Sequence, residues 1–288
     1  MPKSKILILG SASWLGSLII PQLNESDFEI SATYYNHVID FSTPLKHFKA
    51  KTLKDYQDIL KVGQFDVIIN FLRGENREGY NIHESVIDYC KHNPTHYVFC
   101  SSALALESYE NEPLTEDKTA MAESEYGLFK ANCEKMLYDA GIDWSILRFS
   151  SLQGYCAHKT VRNEHFLKQL HKGNTISVDQ KVFQNRMFAN DAVAIILKLI
   201  EEKHTGIYHL GTVDASDEID FLKKQAQLFG YDRDLVIPKT NFRNVNLNCI
   251  PQKIHQWFPA SEFFTEQDTL QKVFQIKALE KYRTVDVV

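Results

Sequence analysis

Short apolar runs alternate with amphipathic stretches along the first two thirds of the chain. The apolar runs are largely uninterrupted, which is typical of strands buried on both faces of a parallel sheet. The predicted strands are Ile6–Leu9, Glu29–Tyr35, Asp66–Asn70, Tyr97–Ser101, Trp144–Arg148 and Gly206–Leu210. The predicted helices are Leu15–Leu23, Leu53–Val62, Asn81–His92, Glu125–Ala140 and Asp191–Glu201. This alternation predicts an α/β fold, a Rossmann-like doubly wound parallel sheet with helices on both faces.

The alternation becomes irregular after Arg148. A loop-like stretch, Gly154–Asn163, is followed by a helical one, Glu164–Lys172, and later by a tail that contains Pro and Asn. These pieces predict a smaller C-terminal lobe. The sheet domain is predicted to span residues 1–153, with 186–211 returning to it, and the lobe to span 154–185 and 212–288.

The composition is that of a folded globular chain. Of its 288 residues 44% are hydrophobic and 24% are charged, which excludes disordered and collagen-like classes. The formal net charge of −5 argues against a surface that coats nucleic acid. Five scattered cysteines without a C-x-x-C pair indicate reduced thiols, and the histidines lack the spacing of metal ligands. No apolar stretch reaches the ~20 residues that cross a bilayer, so we expect no membrane partner. Together these observations predict a cytoplasmic protein that binds neither nucleic acid nor metal.

A loop of small residues separates the first predicted strand from the first predicted helix. It reads Gly10-Ser11-Ala12-Ser13-Trp14-Leu15-Gly16. In dinucleotide-binding folds this position holds a pyrophosphate against backbone N–H groups and the positive end of a helix. Ser13 occupies a place where a third glycine is common. Taken alone, the loop fits a structural turn and a nucleotide site equally well.

Two hydroxyl groups and one ammonium group suggest carbonyl chemistry. Tyr126 and Lys130 are four residues apart on a predicted helix, so they lie on one face, and a nearby ammonium draws a phenol pKa toward the working range. Ser102 follows a predicted strand, at the edge where open α/β sheets bind ligands, and its hydroxyl could polarise a carbonyl. The alternatives are a surface tyrosine and a serine that only ends a strand.

The chain resembles the extended short-chain dehydrogenase/reductase superfamily in three marks that occur in the same order: the glycine loop, the strand-end Ser102 and the pair Tyr126/Lys130. Within it the chain looks most like the dTDP-4-dehydrorhamnose reductase branch, because of similar segments at Asp66–Asn70, Leu147–Gly154 and Arg186–Ala192. The resemblance extends from Lys5 to about Leu247. It implies a nicotinamide cofactor, a nucleotide-sugar substrate, a substrate-binding role for the C-terminal lobe and a dinucleotide-binding role for the sheet domain. A homodimer is compatible with it.

The resemblance also implies roles for individual residues. Ser102 would hold the substrate carbonyl, Tyr126 would donate the proton, and Lys130 would hold the nicotinamide ribose and lower the phenol pKa. Arg73 and Arg186 would contact the substrate, although a surface ion pair explains Arg186 equally well. The implied cofactor-binding residues are Gly10, Ser13, Trp14, Leu15 and Gly16 at the pyrophosphate, Tyr35, Asn36, Phe71 and Leu72 at the adenosine half, and Phe149 and Ser151 near the nicotinamide, together with Lys130.

The chain departs from the family pattern at three places. The serine is followed by Ala103 rather than an acid, which argues against a 4,6-dehydratase. The segment Arg73–Arg77 is unusual, so substrate contacts there would differ. The end of the second strand, Thr33–His37, has no acid to hold the 2′-hydroxyl of NAD, which favours NADP(H) over NAD(H) by a small margin, with His37 or Lys46 as sources of charge.

The leading hypothesis is an NAD(P)H-dependent reductase of a nucleotide-linked 4-keto-6-deoxy sugar, acting in deoxysugar or polysaccharide synthesis. One alternative is a nucleotide-sugar epimerase, which would use the same Ser102 and Tyr126 and keep its NAD bound. Another is a non-catalytic, cofactor-binding regulatory subunit. The joint presence of the serine, tyrosine and lysine speaks against that role, because a scaffold has no chemical need for the set.

Overall fold

The computed structural model describes residues 3–107, 112–179, 181–240, 244–257 and 264–284. The chain divides into two compact units. The first consists of Met1–Leu106, Thr119–Arg148 and Val193–Tyr208, and the second of Glu107–Lys118, Phe149–Ala192 and His209–Val288. This division differs from the sequence-based boundaries at residues 107–118, 149–153, 186–192 and 209–211, which the prediction placed in the sheet domain. Residues 149–153 and 186–192 carry two short strands that pair with each other in the second unit.

The sheet elements follow the predicted alternation of strands and helices. In chain order they are β1 (Ser4–Leu9), α1 (Trp14–Ile19), β2 (Phe28–Tyr34), β3 (Lys46–Lys49), α2 (Leu53–Val62), β4 (Val67–Asn70), α3 (Arg77–His92), β5 (His96–Ser102), α4 (Glu125–Tyr138) and β6 (Trp144–Phe149). Then follow β7 (Ser151–Gln153), α5 (Arg162–His171), β8 (Ile176–Val178), β9 (Val182–Gln184), β10 (Arg186–Phe188), α6 (Ala189–Glu201) and β11 (Gly206–Leu210).

Seven strands form one parallel sheet in the order β11-β6-β5-β4-β1-β2-β3. β1 lies between β2 and β4, and its residues Ile6–Leu9 are almost completely buried, which is why they form an uninterrupted apolar run. The order of the strands reverses at β1. In open α/β sheets this switch point opens a crevice at the carboxyl ends of the strands, and ligands bind there. The predicted Rossmann-like fold is confirmed.

Local chemistry explains where the elements differ from the prediction. β3 was not predicted because its sequence, KHFK, is polar and largely exposed at the sheet edge. α3 begins at Arg77 rather than at Asn81, because the Asn76 side chain accepts a hydrogen bond from the Gly79 N–H at 2.9 Å and caps the helix there. α1 ends at Ile19, where a tight turn containing Pro21 replaces the predicted continuation.

The second unit contains several short strands and its own core. Its remaining elements are β12 (Ser216–Asp217), α7 (Glu218–Leu228), β13 (Val236–Pro238), β14 (Val245–Leu247) and α8 (Glu266–Phe274). Strands of two or three residues are too short to show a period, so the sequence did not predict them. Among the described residues, no helix combines the length and apolarity that a membrane span requires.

Candidate active site

The glycine loop between β1 and α1 is tightly folded against β2. Gly10 has a φ of +91°, which favours glycine, and its N–H donates to the Thr33 hydroxyl at 3.0 Å. The Ser11 hydroxyl donates to the Thr33 carbonyl at 2.9 Å. Ser13 caps α1 by accepting from the Gly16 N–H at 2.9 Å. A Cβ on Gly16 would lie 2.4 Å from the Gly10 carbonyl oxygen, so this loop geometry requires both glycines.

The loop packs directly against the segment that follows β4. A Cβ on Gly10 would lie 3.3 Å from the Leu72 side chain and 3.7 Å from the Phe71 carbonyl carbon. The sequence-predicted residues Gly10, Phe71 and Leu72 are therefore brought together. Asn70 fixes this segment, since its side-chain oxygen accepts from the Leu72 N–H at 2.9 Å.

A cavity of about 350 Å³ opens beside this segment, entirely within the first unit. Tyr35 and Lys51 line it from the β2 and β3 ends, and the Lys51 Nζ lies 5.0 Å from the centroid of the Tyr35 ring. Arg73 and Glu78 line it from the other side. A loop that only glycine fits, with an adjoining cavity of mixed polarity at the carboxyl edge of the sheet, fits the pyrophosphate and adenosine parts of a dinucleotide.

Other residues predicted to bind the cofactor lie at the start of α1 and directly after β2. Trp14 opens α1, and Leu15 turns into the core with 7% of its surface exposed, so it can serve a cofactor only through its backbone. Tyr35 and Asn36 follow β2 directly and are exposed.

Ser102 and Tyr126 meet at the end of β5. The Ser102 hydroxyl is close enough to the Tyr126 phenol to lower its pKa, and the Ser102 oxygen accepts a hydrogen bond from the Leu104 N–H at 3.2 Å. Gly127 makes this contact feasible, because a Cβ there would lie 2.4 Å from the Leu104 carbonyl oxygen. Sequence reasoning missed Gly127, although it stands beside the tyrosine. The structure thus places a donor and a proton source side by side.

Lys130 lies one turn along α4 and is 2% exposed. Its Nζ donates to the Cys100 carbonyl at 2.7 Å and lies 5.8 Å from the centroid of the Tyr126 ring. Burial lowers the pKa of Lys130 from its usual value. The ammonium group therefore links α4 to the last residues of β5, near the Tyr126 ring.

The pKa of Tyr126 is raised from its ordinary value rather than lowered. Burial raises it, and this outweighs the opposing influence of the nearby Arg73 guanidinium and of the Ser102 hydroxyl. Desolvation disfavours the phenolate more than the surrounding charges favour it. Tyr126 is consequently protonated at neutral pH and can donate its proton.

Arg73, a predicted substrate contact, lies at the tyrosine. The carbon of its guanidinium group is 4.9 Å from the centroid of the Tyr126 ring, and one of its nitrogens is 3.1 Å from a Glu75 carboxylate oxygen.

Three predicted residues belong to the second unit. Phe149 is buried, and the Ser151 hydroxyl accepts from the Gln153 amide at 3.0 Å. Arg186 is completely buried and pairs with Glu218, at 3.1 Å, and with Glu266. A guanidinium held in this way is not available to a substrate phosphate. The structure therefore favours the ion-pair alternative for Arg186, with the difference that the pair is buried.

A family model described as the RmlD substrate binding domain matches residues 75–252. No curated protein sequence matches the chain.

Several solved structures share the fold over nearly the whole chain. One is dTDP-glucose 4,6-dehydratase from Bacillus anthracis in complex with NAD, with a TM-score of 0.82 and 14% identity over 97% of this chain and 98% of that one. A second is dTDP-4-dehydrorhamnose reductase from the same organism in complex with NADP, with a TM-score of 0.76 and 16% identity over 95% and 99%. A third is UDP-N-acetylglucosamine 4-epimerase from Bacillus cereus, with a TM-score of 0.72 and 18% identity over 97% and 100%.

Proposed function

The chain belongs to the family of the RmlD substrate binding domain, whose model matches more than half of it, and on that premise we propose that it reduces a nucleotide-linked 4-keto-6-deoxy sugar with NAD(P)H. Membership also confirms the predicted resemblance to extended short-chain dehydrogenases/reductases of the dTDP-4-dehydrorhamnose reductase branch. The observation that carries the proposal is the placement of the Ser102 hydroxyl beside the Tyr126 phenol, with the buried Lys130 one helical turn along α4.

The cofactor would supply the hydride to the keto carbon. Negative charge then develops on the carbonyl oxygen, which requires a hydrogen-bond donor and a proton source within about 3 Å. Ser102 would donate the hydrogen bond and Tyr126 the proton. Lys130 would hold the nicotinamide ribose, as the resemblance implies, while its bond to the Cys100 carbonyl fixes its position.

Of two neighbouring reactions, the site argues against one, and cofactor retention distinguishes the other. A 4,6-dehydratase needs an acid to protonate the leaving hydroxyl, and the residue after Ser102 is Ala103. An epimerase would use the same two hydroxyls but would retain its oxidised cofactor through each turnover. NAD that stays with the protein through gel filtration would favour the epimerase.

Incubation with a panel of keto sugars tests the proposed reaction. The purified protein is mixed with NADPH or NADH and with dTDP-, UDP-, GDP- or CDP-linked 4-keto-6-deoxy sugars, and the absorbance at 340 nm is followed. We expect cofactor oxidation with at least one sugar and none without sugar. If no sugar is reduced while NADPH binds, the non-catalytic regulatory role becomes the better proposal.

The glycine loop provides a prediction about cofactor binding. Gly16→Ala places a Cβ against the Gly10 carbonyl and displaces the loop, so the dissociation constant for NADPH is expected to rise about tenfold or more, a loss of about 1.4 kcal/mol or more. Isothermal titration calorimetry measures this dissociation constant. The matched control is Gly63→Ala, whose Cβ would lie 2.2 Å from the Phe65 ring at the far end of α2. It should lower stability and leave NADPH affinity unchanged. Unaltered affinity in Gly16→Ala would rule the loop out as the phosphate site.

If the protein prefers NADP(H), the structure offers a better source of positive charge for the 2′-phosphate than Lys46. Lys46 is paired with Glu29 at 2.5 Å and is therefore occupied. Lys51 lies over the Tyr35 ring at the cavity, and its Nζ has no carboxylate within ion-pair distance among the described residues. We propose that Lys51 contacts the 2′-phosphate of NADP(H).

Replacing Lys51 tests this assignment. Lys51→Met is expected to weaken NADPH binding about tenfold, the scale of one charge-assisted hydrogen bond, and to leave NADH binding unchanged. Calorimetric titration with both cofactors measures the ratio. Lys54→Met is the control, because that side chain is exposed and pairs with Asp58 at 2.7 Å. A parent protein that prefers NADH, or a Lys51→Met variant with unchanged affinity for NADPH, would contradict the proposal.

A further inference from the structure

The segment Arg73–Arg77, which departs from the family pattern, reaches the tyrosine. Arg73 follows β4 and extends across the face of the Tyr126 ring, with its guanidinium carbon 4.9 Å from the ring centroid. This distance is within the range of a cation–π contact. Both the Nε and a terminal nitrogen of Arg73 donate to one Glu75 oxygen, at 3.3 and 3.1 Å. Glu75 thus holds the guanidinium group where it covers the ring.

The groups around the Tyr126 phenol other than Arg73 and Glu75 are neutral or lie farther from the ring. From β5, Ser102 contributes its hydroxyl and Cys100 a buried thiol whose pKa is raised to about 12 by desolvation, so that it is neutral. From α4, Lys130 lies farther from the ring centroid, at 5.8 Å, and its ammonium group is bound to the Cys100 carbonyl. Among the described residues, the charged side chains outside α4 that act most strongly on Tyr126 are Arg73 and Glu75.

We propose that Arg73 and Glu75 are a positioning pair for the proton donor: Arg73 covers the Tyr126 ring and favours loss of its proton, and Glu75 opposes it. This inference rests on the proposed role of Tyr126 as the acid. It gives this loop part of the electrostatic function that the resemblance assigns to Lys130 alone. A cation favours the phenolate and an anion disfavours it, so the two side chains have opposite effects on the same proton.

The signs of the expected shifts follow from these charges. Arg73→Gln removes the cation and should raise the pH at which Tyr126 ionises. Glu75→Gln removes the negative charge, while the amide oxygen can still accept hydrogen bonds from the guanidinium and keep it over the ring, so ionisation should move to lower pH. Because Arg73 is largely exposed, solvent screens its charge, and each shift should be about half a pH unit.

Nuclear magnetic resonance of protein labelled with ¹³C at the tyrosine Cζ measures this ionisation without any substrate. Tyr126→Phe identifies the resonance of Tyr126, and its midpoint is then compared among the parent, Arg73→Gln, Arg73→Lys and Glu75→Gln. Arg73→Lys keeps the charge and should keep the midpoint near that of the parent. Arg77→Gln is the matched control, since it removes an equal charge from the first residue of α3 and should not shift the midpoint.

Opposite shifts in Arg73→Gln and Glu75→Gln, with no shift in Arg77→Gln, would support the proposal. Unchanged midpoints in both would overturn it. The titration reports on Tyr126 even if no keto sugar is reduced, so failure of this inference is distinguishable from failure of the proposed function. With an active substrate, the basic limb of kcat/KM should move with the midpoint. A change in KM alone would instead indicate that Arg73 only contacts the substrate.

Discussion

Tyr126→Phe is expected to lower kcat for keto-sugar reduction by about 10²-fold or more and to leave NADPH affinity unchanged. The substitution removes a single oxygen atom, the one beside the Ser102 hydroxyl. Without it the alkoxide that forms at the keto carbon has no positioned proton. Lys130 and the glycine loop remain, so the contacts expected to hold the cofactor are kept.

Steady-state kinetics at 340 nm and calorimetric titration with NADPH measure the two quantities separately. Tyr80→Phe is the control, because Tyr80 is a partly buried phenol on α3 whose hydroxyl accepts only a long hydrogen bond, 3.4 Å, from Asn132. It should keep parental kcat. A Tyr126→Phe variant that turns over near the parental rate would mean that the proton comes from another group.

The pH dependence of reduction follows from the same residue. The acid must be protonated before the reaction, and burial raises the pKa of Tyr126 above its ordinary value. Activity is therefore expected to persist through neutral pH and to fall only as the pH rises into the range where the phenol ionises. If the pKa of the tyrosine were lowered, the enzyme would lose activity at a lower pH.

Local patterns in the sequence predicted much of the fold and of the site. The buried strands could be predicted because residues such as Ile6–Leu9 are apolar without interruption. The spacing of Tyr126 and Lys130 predicted that both lie on one side of α4. These inferences need only the period of a helix and the two-sided burial of a parallel strand.

Contacts between distant segments could not be predicted in this way. The approach of Arg73 to Tyr126 joins residues that are far apart in the chain, and no period encodes it. The burial of Arg186 depends on Glu218 and Glu266, which lie in elements that the sequence did not predict. The pKa of Tyr126 is raised rather than lowered, because desolvation depends on the complete packing around the ring.

One helix face joins the proposed chemistry to the structural core. Tyr126, Lys130, Glu134 and Tyr138 follow each other at intervals of four residues along α4, so they form one stripe. Glu134 is fully buried, pairs with Arg148 at 2.7 Å and accepts a hydrogen bond from the Ser101 hydroxyl at 2.5 Å. Ser101 is the neighbour of Ser102. The carboxylate therefore anchors both α4 and the end of β5 beneath the two hydroxyls.

Glu134→Leu is expected to lower the free energy of unfolding by about 3–5 kcal/mol, because it removes the carboxylate that pairs with the buried Arg148 guanidinium. Urea-induced unfolding measures the change. The double variant Glu134→Leu/Arg148→Met removes both charges and should recover most of the loss, since replacing a buried pair by apolar groups is often neutral. Asp58→Ala, which breaks the exposed pair with Lys54, should cost less than about 1 kcal/mol. If the single variant cannot be purified, a folded double variant still supports the argument. The opposite result is a double variant that is no more stable than Glu134→Leu. That result would show that the Glu134 carboxylate holds α4 in place through its hydrogen bonds to Ser101 and Tyr138, and not through its charge.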